Sequence, residues 1–465
     1  MKKIRRWKSW AAIVYGFVAV TLGGFRNNAW SEDVAPPQSL TAGQAGLDQR
    51  VSILERKLEV AAEEASAKAK EAAVVTANAK DGFQIQSADK SFSLKLRLLI
   101  QADSRFFVDD NAGNETDAFL IRRARPILEG TAFGYTNFLF TPDFASNGKA
   151  VLYDAYFDVA PWSFARLRVG KFKPPIGLEH LQSDPYLIFA ERGLPSDLVP
   201  SRDTGLQLFG DLFNGAVSYA AAFTNGTGDN NTNTSLTSPV TSDTDNNDGK
   251  EGTARIVVKP FKNTDVGALQ GLGVGIGASY AKQASVNPNL VTPGQISIFT
   301  PAAAALADGE HDRLAPEFNW YYHSFGLLSE YIRSSQVWRV GRVRSTITDT
   351  AGQVAASYVL TGEDASFTGV KPRKIFDPKN GTWGAFEITS RLQELYLDPD
   401  NFKDGIATAA TSVQRATSYG FGFNWYLNNN VKFATNFDET SFDKGAAVGD
   451  RPNEKIIVSR WQLYF

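Results

Sequence analysis

From about residue 91 to its last residue the chain alternates apolar and polar side chains, segment after segment. Phe92, Leu94, Leu96, Leu98, Ile100 and Ala102 occupy one face of the first segment, while Ser93, Lys95, Arg97, Gln101, Asp103 and Arg105 occupy mostly the other. Tyr153, Ala155, Phe157 and Val159 alternate with Asp154, Tyr156 and Asp158. Val431, Phe433, Thr435 and Phe437 alternate with Lys432, Ala434, Asn436 and Asp438. Period two belongs to the β-strand, whose successive side chains leave opposite faces. Each face stays uniform for about eight to eleven residues, the length a tilted strand needs to cross a bilayer. Beyond the N-terminal region no run of 18 apolar residues occurs. A chain of this kind enters a membrane as strands, closed on themselves so that no edge is left unpaired in lipid.

The alternation predicts sixteen strands, at 91–106, 118–131, 133–144, 150–160, 163–173, 203–212, 215–224, 253–261, 271–282, 312–323, 324–336, 354–362, 381–398, 412–427, 430–441 and 453–465. An even count is what a bacterial barrel requires. Tight connections at 132–134, 160–162, 214–215, 323–324 and 427–430 interleave with long ones at 174–202, 225–252, 283–311, 337–353, 399–411 and 442–452. Short turns on one rim and long loops on the other produce that rhythm. Two connections strain it, 145–149 being short for an external loop and 363–380 long for a turn.

A soluble β-sandwich also shows period two. Aromatic residues toward the strand ends, as in interface girdles, and a polar second face argue for the barrel instead. The chain closes on Trp461, Leu463 and Phe465 facing outward, a terminal pattern suited to delivery to the outer-membrane assembly machinery, although Arg460 stands where such endings often carry a small residue.

The N-terminal region has a different texture. Lys2, Lys3, Arg5, Arg6 and Lys8 precede an apolar stretch to Gly24, and Ala29-Trp30-Ser31 offers small residues for cleavage, so residues 1–31 read as a signal peptide. The apolar stretch is shorter than the ~20 residues of a membrane-spanning helix. Its loss removes six basic residues and no acidic one, so the formal charge of −2 becomes −8 in the mature chain. Anion preference would therefore come from locally placed charges, and no global field draws nucleic acid. Residues 32–46 form a linker. Residues 47–80 read as a helix, with Leu47, Val51, Leu54, Leu58, Ala61, Ala65, Ala72 and Val75 on one heptad seam, fit for a parallel coiled coil in a homo-oligomer. Residues 83–465 form the barrel.

Catalysis finds no support. The chain has no cysteine and three scattered histidines, His180, His311 and His323, without metal-ligand spacing. Gly271, Gly273, Gly275 and Gly277 lie on one strand face with no helix start behind them, so they mark close wall packing and no phosphate loop. The Asn/Thr/Asp run at 229–248 reads as a solvated loop. No cofactor and no metal is expected.

Several motifs together resemble the phosphate-selective porins O and P of Gram-negative bacteria. They are Phe119-Leu120-Ile121-Arg122-Arg123-Ala124-Arg125, Leu152-Tyr153-Asp154-Ala155-Tyr156-Phe157, Val169-Gly170-Lys171-Phe172, Ile176-Gly177-Leu178-Glu179, Ala190-Glu191-Arg192, Tyr358 to Glu363, Trp383 to Glu387 and Asn424-Trp425-Tyr426. The resemblance implies a sixteen-stranded antiparallel barrel, a homotrimer in outer-membrane lipid that passes small anionic solutes. It also implies that the long turn at 363–380 folds inward. Arg122 and Arg123 match the family's constriction arginines, and Asp154 matches its pore aspartate. Adjacent residues on a strand can both face the lumen only through a bulge or twist. Lys95, Arg97 and Arg105 point the same way from the first strand, and Lys371, Arg373, Lys374 and Lys379 form a basic cluster on the inward turn; cationic side chains in a narrow passage favour anions. The family's selective members carry an arginine ladder on the loop corresponding to 283–311, which here has neither Arg nor Lys. A lysine expected shortly before Ala190-Glu191-Arg192 is also missing, with Pro185 near its place. The expectation is a weakly anion-selective porin, against a general non-selective porin or a non-conducting envelope tether.

Overall fold

A computed structural model describes residues 41–71, 73–78, 82–109, 115–146, 149–230, 248–284 and 288–465. The expected signal peptide and most of the linker fall outside the described residues. The alternating region forms strands β1 (Ser93–Phe107), β2 (Ala118–Ala132), β3 (Thr136–Ser146), β4 (Lys149–Val159), β5 (Arg166–Phe172), β6 (Asp203–Leu212), β7 (Val217–Thr224) and β8 (Glu251–Val258). It continues with β9 (Leu272–Ala284), β10 (Ala305–Tyr322), β11 (Phe325–Val340), β12 (Val343–Val359), β13 (Ala385–Tyr396), β14 (Val413–Tyr426), β15 (Val431–Lys444) and β16 (Glu454–Tyr464). Every neighbour pairs antiparallel, and β16 returns to β1, with Ile456 opposite Phe107 and Tyr464 opposite Leu99, so the wall closes as a sixteen-stranded barrel. Closure leaves no edge to present unpaired backbone to lipid. Phe465 completes it by exchanging backbone hydrogen bonds with Leu98 at 3.1 and 3.2 Å.

Outward positions are apolar, as in Leu94, Leu96, Ile121, Phe421 and Trp461, while the alternate positions turn inward. Aromatic rings gather at the short-turn rim, which is the periplasmic side. Phe92 meets Phe133 at 5.2 Å, Trp320 meets Phe325 at 5.6 Å and Phe376 meets Trp425 at 5.2 Å between centroids.

Two strand boundaries differ from the sequence reading. β10 begins at Ala305, seven residues before the expected 312, with its register broken between Ala307 and His311 around Gly309. The expected long loop at 337–353 is strand: β11 and β12 run on to a two-residue turn, with Val340 opposite Val343. Val343, Thr346 and Ile347 are β-branched and favour the extended form, and Gly341 at φ +59 takes the left-handed turn position open to glycine.

The N-terminal helix spans Thr41–Glu71, not 47–80. Its seam residues Leu47, Val51, Leu54 and Leu58 are all exposed in the single chain. Val75, expected on the seam, lies instead in a short strand, Val74–Asn78, that pairs with Gly82–Gln86 and through it with β1. The β-branched Val74-Val75-Thr76 favours that extended form over a fifth helical heptad.

The lumen is filled unevenly. The external connection 173–202 enters it and carries Ile176, Leu194, Leu198 and Val199 into an apolar cluster. Leu290 and Ile298 from 285–304, Ile406 from 397–412, and Trp338, Ile347 and Leu395 from the inner wall complete that cluster. Gly277 leaves room for Ile176, whose Cγ1 would sit 3.2 Å from a Cβ there. This dry packing occupies the extracellular half against β10–β15, a region the sequence reading took as a uniformly polar inner face. From the other rim the turn 360–384 also enters: Gln182 Nε2 donates to Phe367 O at 2.7 Å, so the two intruding segments touch.

Candidate functional site

Two bulges set the chemistry of the lumen. On β2 the register with β1 slips between Gln101 and Ala102, and Arg122 is the extra residue. It therefore turns inward together with Arg123, the arrangement an adjacent inward pair requires. On β4 the register with β3 slips between Thr141 and Pro142 at Tyr153, which turns inward beside Asp154 and departs from the outward row expected for it. One extra residue on each strand converts a lipid-facing position into a lumen-facing one.

Loop 173–202 is fastened across the lumen by its acids. Glu191 accepts from Arg122 Nε at 2.6 Å, Arg460 Nη2 at 2.8 Å and Arg105 Nη2 at 3.0 Å, with Arg123 Nη2 at 3.7 Å. Asp184 takes Arg192 Nη1 at 2.5 Å, Arg123 Nε at 3.3 Å and Arg125. Burial by itself would push both carboxyls up. The surrounding guanidinium groups overturn that and hold both well below the usual carboxylate range, Arg122 leading at Glu191 and Arg123 at Asp184. Backbone bonds add to the seat: Ala190 N donates to Asn436 Oδ1 at 2.7 Å, Leu194 N to Gln393 Oε1 at 2.8 Å and Leu178 N to Glu330 Oε2 at 2.7 Å. The loop thus spans from β5 to β11–β16 and narrows the bore.

Beneath it, toward the periplasmic rim and against β1–β8, lies a cavity of about 640 Å³. Seven basic side chains line it, Arg97, Arg125, Arg166, Arg168, Lys173, Arg202 and Arg255, against four carboxylates, Glu129, Asp154, Asp184 and Asp211. Three more carboxylates stand behind the lining. Asp158 holds Arg168 at 2.7 and 2.9 Å, Asp143 holds Arg125 at 2.6 Å, and Glu317 holds Arg255 at 3.0 Å. Arg97, Arg166, Arg168 and Arg255 keep part of their surface toward water, Arg125 and Arg202 are nearly buried, and part of the counter-charge is set into the wall. Rings support the guanidinium planes: the Arg125 and Arg202 guanidinium carbons lie 3.4 and 3.6 Å from the Tyr153 centroid, and that of Arg168 lies 3.8 Å from the Tyr156 centroid.

A closed barrel with a loop folded into a charged bore is the architecture of a diffusion channel, and comparison with known proteins agrees. The family model described as phosphate-selective porin O and P matches residues 92–465. The chain belongs to that family. Porin O of Pseudomonas aeruginosa is 26% identical over 422 residues, covering 83% of this chain and 91% of that protein. Among solved structures, the outer membrane channel DcaP of Acinetobacter baumannii is similar at a TM-score of 0.53 and 11% identity, covering 81% of this chain and 98% of its own. OmpT of Vibrio cholerae in its trimer form is similar at 0.50 and 9% identity, covering 81% and 100%. This porin is an outer-membrane channel protein of the Gram-negative envelope.

The structure distributes the residues singled out from the sequence among different places in the porin. Arg97 and Asp154 line the main cavity, Arg97 on Glu129 at 3.3 Å and Asp154 with Arg202 at 3.4 Å. Arg105, Arg122 and Arg123 are brought together, but as clamps on Glu191, and of these Arg122 keeps the most exposure. Lys95 faces inward opposite Glu129 in the register of β1 and β2. The cluster on the inward turn is divided. Lys371 lines a second cavity of about 420 Å³ with Arg97, Tyr186 and Lys432. Arg373, Lys374 and Lys379 are exposed and line neither cavity. Past Pro372 the turn leaves the bore to form a two-stranded ribbon, Phe376–Asp377 with Thr382–Trp383, against the aromatic rim.

Sequence reasoning missed Arg125, Arg168, Arg202 and Lys173 as cavity lining and Glu191 and Arg460 as the clamp. Arg125, Arg168 and Arg460 stand on inward positions of their strands, a usable signal. Lys173 and Arg202 flank the intruding loop and carried no periodicity to reveal them. Lys173 Nζ donates to the carbonyls of His180 and Gln182 at 2.6 and 2.9 Å. Burial, reinforced by Arg192 and Arg202, pulls its ammonium well below the ordinary lysine range.

Proposed function

We propose that this porin is a passive diffusion channel with a weak preference for anions, phosphate among them, and that it works as a homotrimer. One observation carries the selectivity: six arginines against four carboxylates line the periplasmic-side cavity, with further carboxylates withdrawn behind the arginines. An anion in a narrow passage exchanges part of its hydration for these fixed donors, and the nearby acids keep it from binding too tightly to leave. The absence of Arg and Lys from residues 283–311 favours weak over strong selection, since no basic ladder precedes the bore on that loop. The trimer form of OmpT, a relative in fold, supports the oligomeric part of the reading.

The deciding experiment is the zero-current potential of the purified porin in a planar bilayer under a KCl gradient. The expected sign is that of chloride preference, with a Cl⁻/K⁺ permeability ratio of a few-fold. A potential of zero would mark a general porin, a cation-selective sign would overturn the reading, and the absence of any current would return the envelope-tether alternative.

A further inference from the structure

The cavity is larger than a small inorganic anion needs. Its volume of about 640 Å³ falls among sites for small organic molecules, typically about 300–1,000 Å³. Its charged side chains alternate with rings: Arg97 lies 4.6 Å from the Tyr464 centroid, Arg166 4.5 Å from that of Phe209, and Arg168 3.8 and 5.0 Å from those of Tyr156 and Phe209. Apolar side chains, among them Ile127, Leu139, Leu181 and Phe367, fill the spaces between them. A hydrated phosphate gains nothing from such surfaces. A planar apolar body does, since aromatic faces stack on rings and on guanidinium planes alike.

The donors are placed to match. Arg202 is buried at the cavity wall, yet its hydrogen bonds, to Asp154 Oδ1 and Ser201 Oγ, are both 3.4 Å, longer than good bonds of this kind. Resting on Tyr153, its fork is held flat with binding capacity to spare, the geometry that takes a carboxylate through two parallel bonds. Arg125 on the same ring places a second guanidinium at that end of the cavity.

We propose that this cavity is a binding site for planar aromatic carboxylates, with the carboxylate toward Arg202 and the ring stacked along Tyr156, Arg168 and Phe209. This rests on the anion-channel reading above and narrows it to a solute class other than inorganic phosphate.

The test titrates the purified full-length porin calorimetrically with 4-hydroxybenzoate, cyclohexanecarboxylate and inorganic phosphate, alongside the zero-current potential. The two carboxylates carry the same charge and similar bulk, and only one is planar and aromatic. The expected result is binding of 4-hydroxybenzoate at least tenfold tighter than of either competitor. Tyr156→Leu is expected to abolish that margin and Arg168→Lys, which keeps the charge but loses the plane, to reduce it. Equal binding of the two carboxylates, or phosphate binding tighter than both, overturns this proposal while a chloride-preferring potential leaves the anion channel standing. A cation-preferring potential overturns both. The ligand comparison is made in the unaltered protein, so misfolding of a variant does not blunt it.

Discussion

Against β10–β15, in the extracellular half of the lumen, Leu198, Leu290, Ile298 and Ile406 exclude water; against β1–β8, in the periplasmic half, Arg97, Arg168, Arg202 and Tyr156 border an open cavity. Both regions are made from inward positions of the same alternating wall, together with the same intruding loop. The first resembles the core of a soluble domain, where contact among close-packed groups fixes a shape. The second keeps its side chains in place by ion pairs and ring contacts while leaving space between them. One region therefore sets where the loop sits, and the other sets what passes beside it.

Substitutions can separate those two roles. The largest effect is expected from Glu191→Ala, which removes the carboxylate shared by Arg105, Arg122, Arg123 and Arg460. Breaking a buried ion cluster by deleting one partner costs about 3–5 kcal/mol, enough to unseat the loop. Single-channel conductance should rise several-fold with added current noise, and an unchanged conductance would show that the apolar cluster alone holds the loop. Ile298→Ala comes next. Its side chain is 1% exposed, and truncation of such a group costs about 2–5 kcal/mol. Thermal unfolding in detergent should occur at lower temperature with the Cl⁻/K⁺ permeability ratio unaltered, whereas a changed ratio would dissolve the distinction between the two regions.

Arg168→Gln acts on selectivity as well. It leaves the buried Asp158 without its partner beside the cavity, so it should lower the Cl⁻/K⁺ ratio roughly twofold, equivalent to about 0.4 kcal/mol, and lower the unfolding temperature too. The smallest effect is expected from pH. Glu191 and Asp184 titrate well below their ordinary values of 4.5 and 3.8. Their contribution to loop seating is present above those values and is lost only as the pH falls through the depressed ones. His180 acts the other way: burial first, then Lys173, Arg192 and Arg202, keep it well below the ordinary 6.5. Below about pH 6.5 an unseated loop would take up a proton that the seated loop refuses, so seating weakens modestly as the pH falls. Open-channel noise should grow slightly between pH 7.5 and 5 and stay flat in His180→Gln.

Much of this architecture was legible because a barrel wall repeats one rule. All sixteen strands lie where alternation put them, and where boundaries moved, at Ala305 and at Val343, the strands continue beyond the apolar band and the pattern loses its hydrophobic half. The bulge at Arg122 could be foreseen as a requirement, since Arg122 and Arg123 were both needed inside; the one at Tyr153 could not, since its side chain suits either face. The clamp was hidden for another reason. Glu191 lies 69 residues from Arg122 and 269 from Arg460, and nothing local marks such partners. Arg460 did stand out as a departure from the small residue usual in the closing strand, and its place beside Asp103 and Glu191 accounts for that departure. The apolar cluster left no signal either, because its loop residues lie outside any periodic segment.

The grip of Arg460 on Glu191 and Ala190 O has a consequence for biogenesis. The segment that throttles the bore is made early in translation, but its counterparts on β15 and β16 belong to the final stretch of the polypeptide. Until the carboxyl-terminal staves are in position the throttle lacks two of its anchors, Asn436 and Arg460, and is held by those on the earlier strands alone. The strand that seals the cylinder also completes the hold on its aperture, so closure of the wall and narrowing of the bore share one side chain.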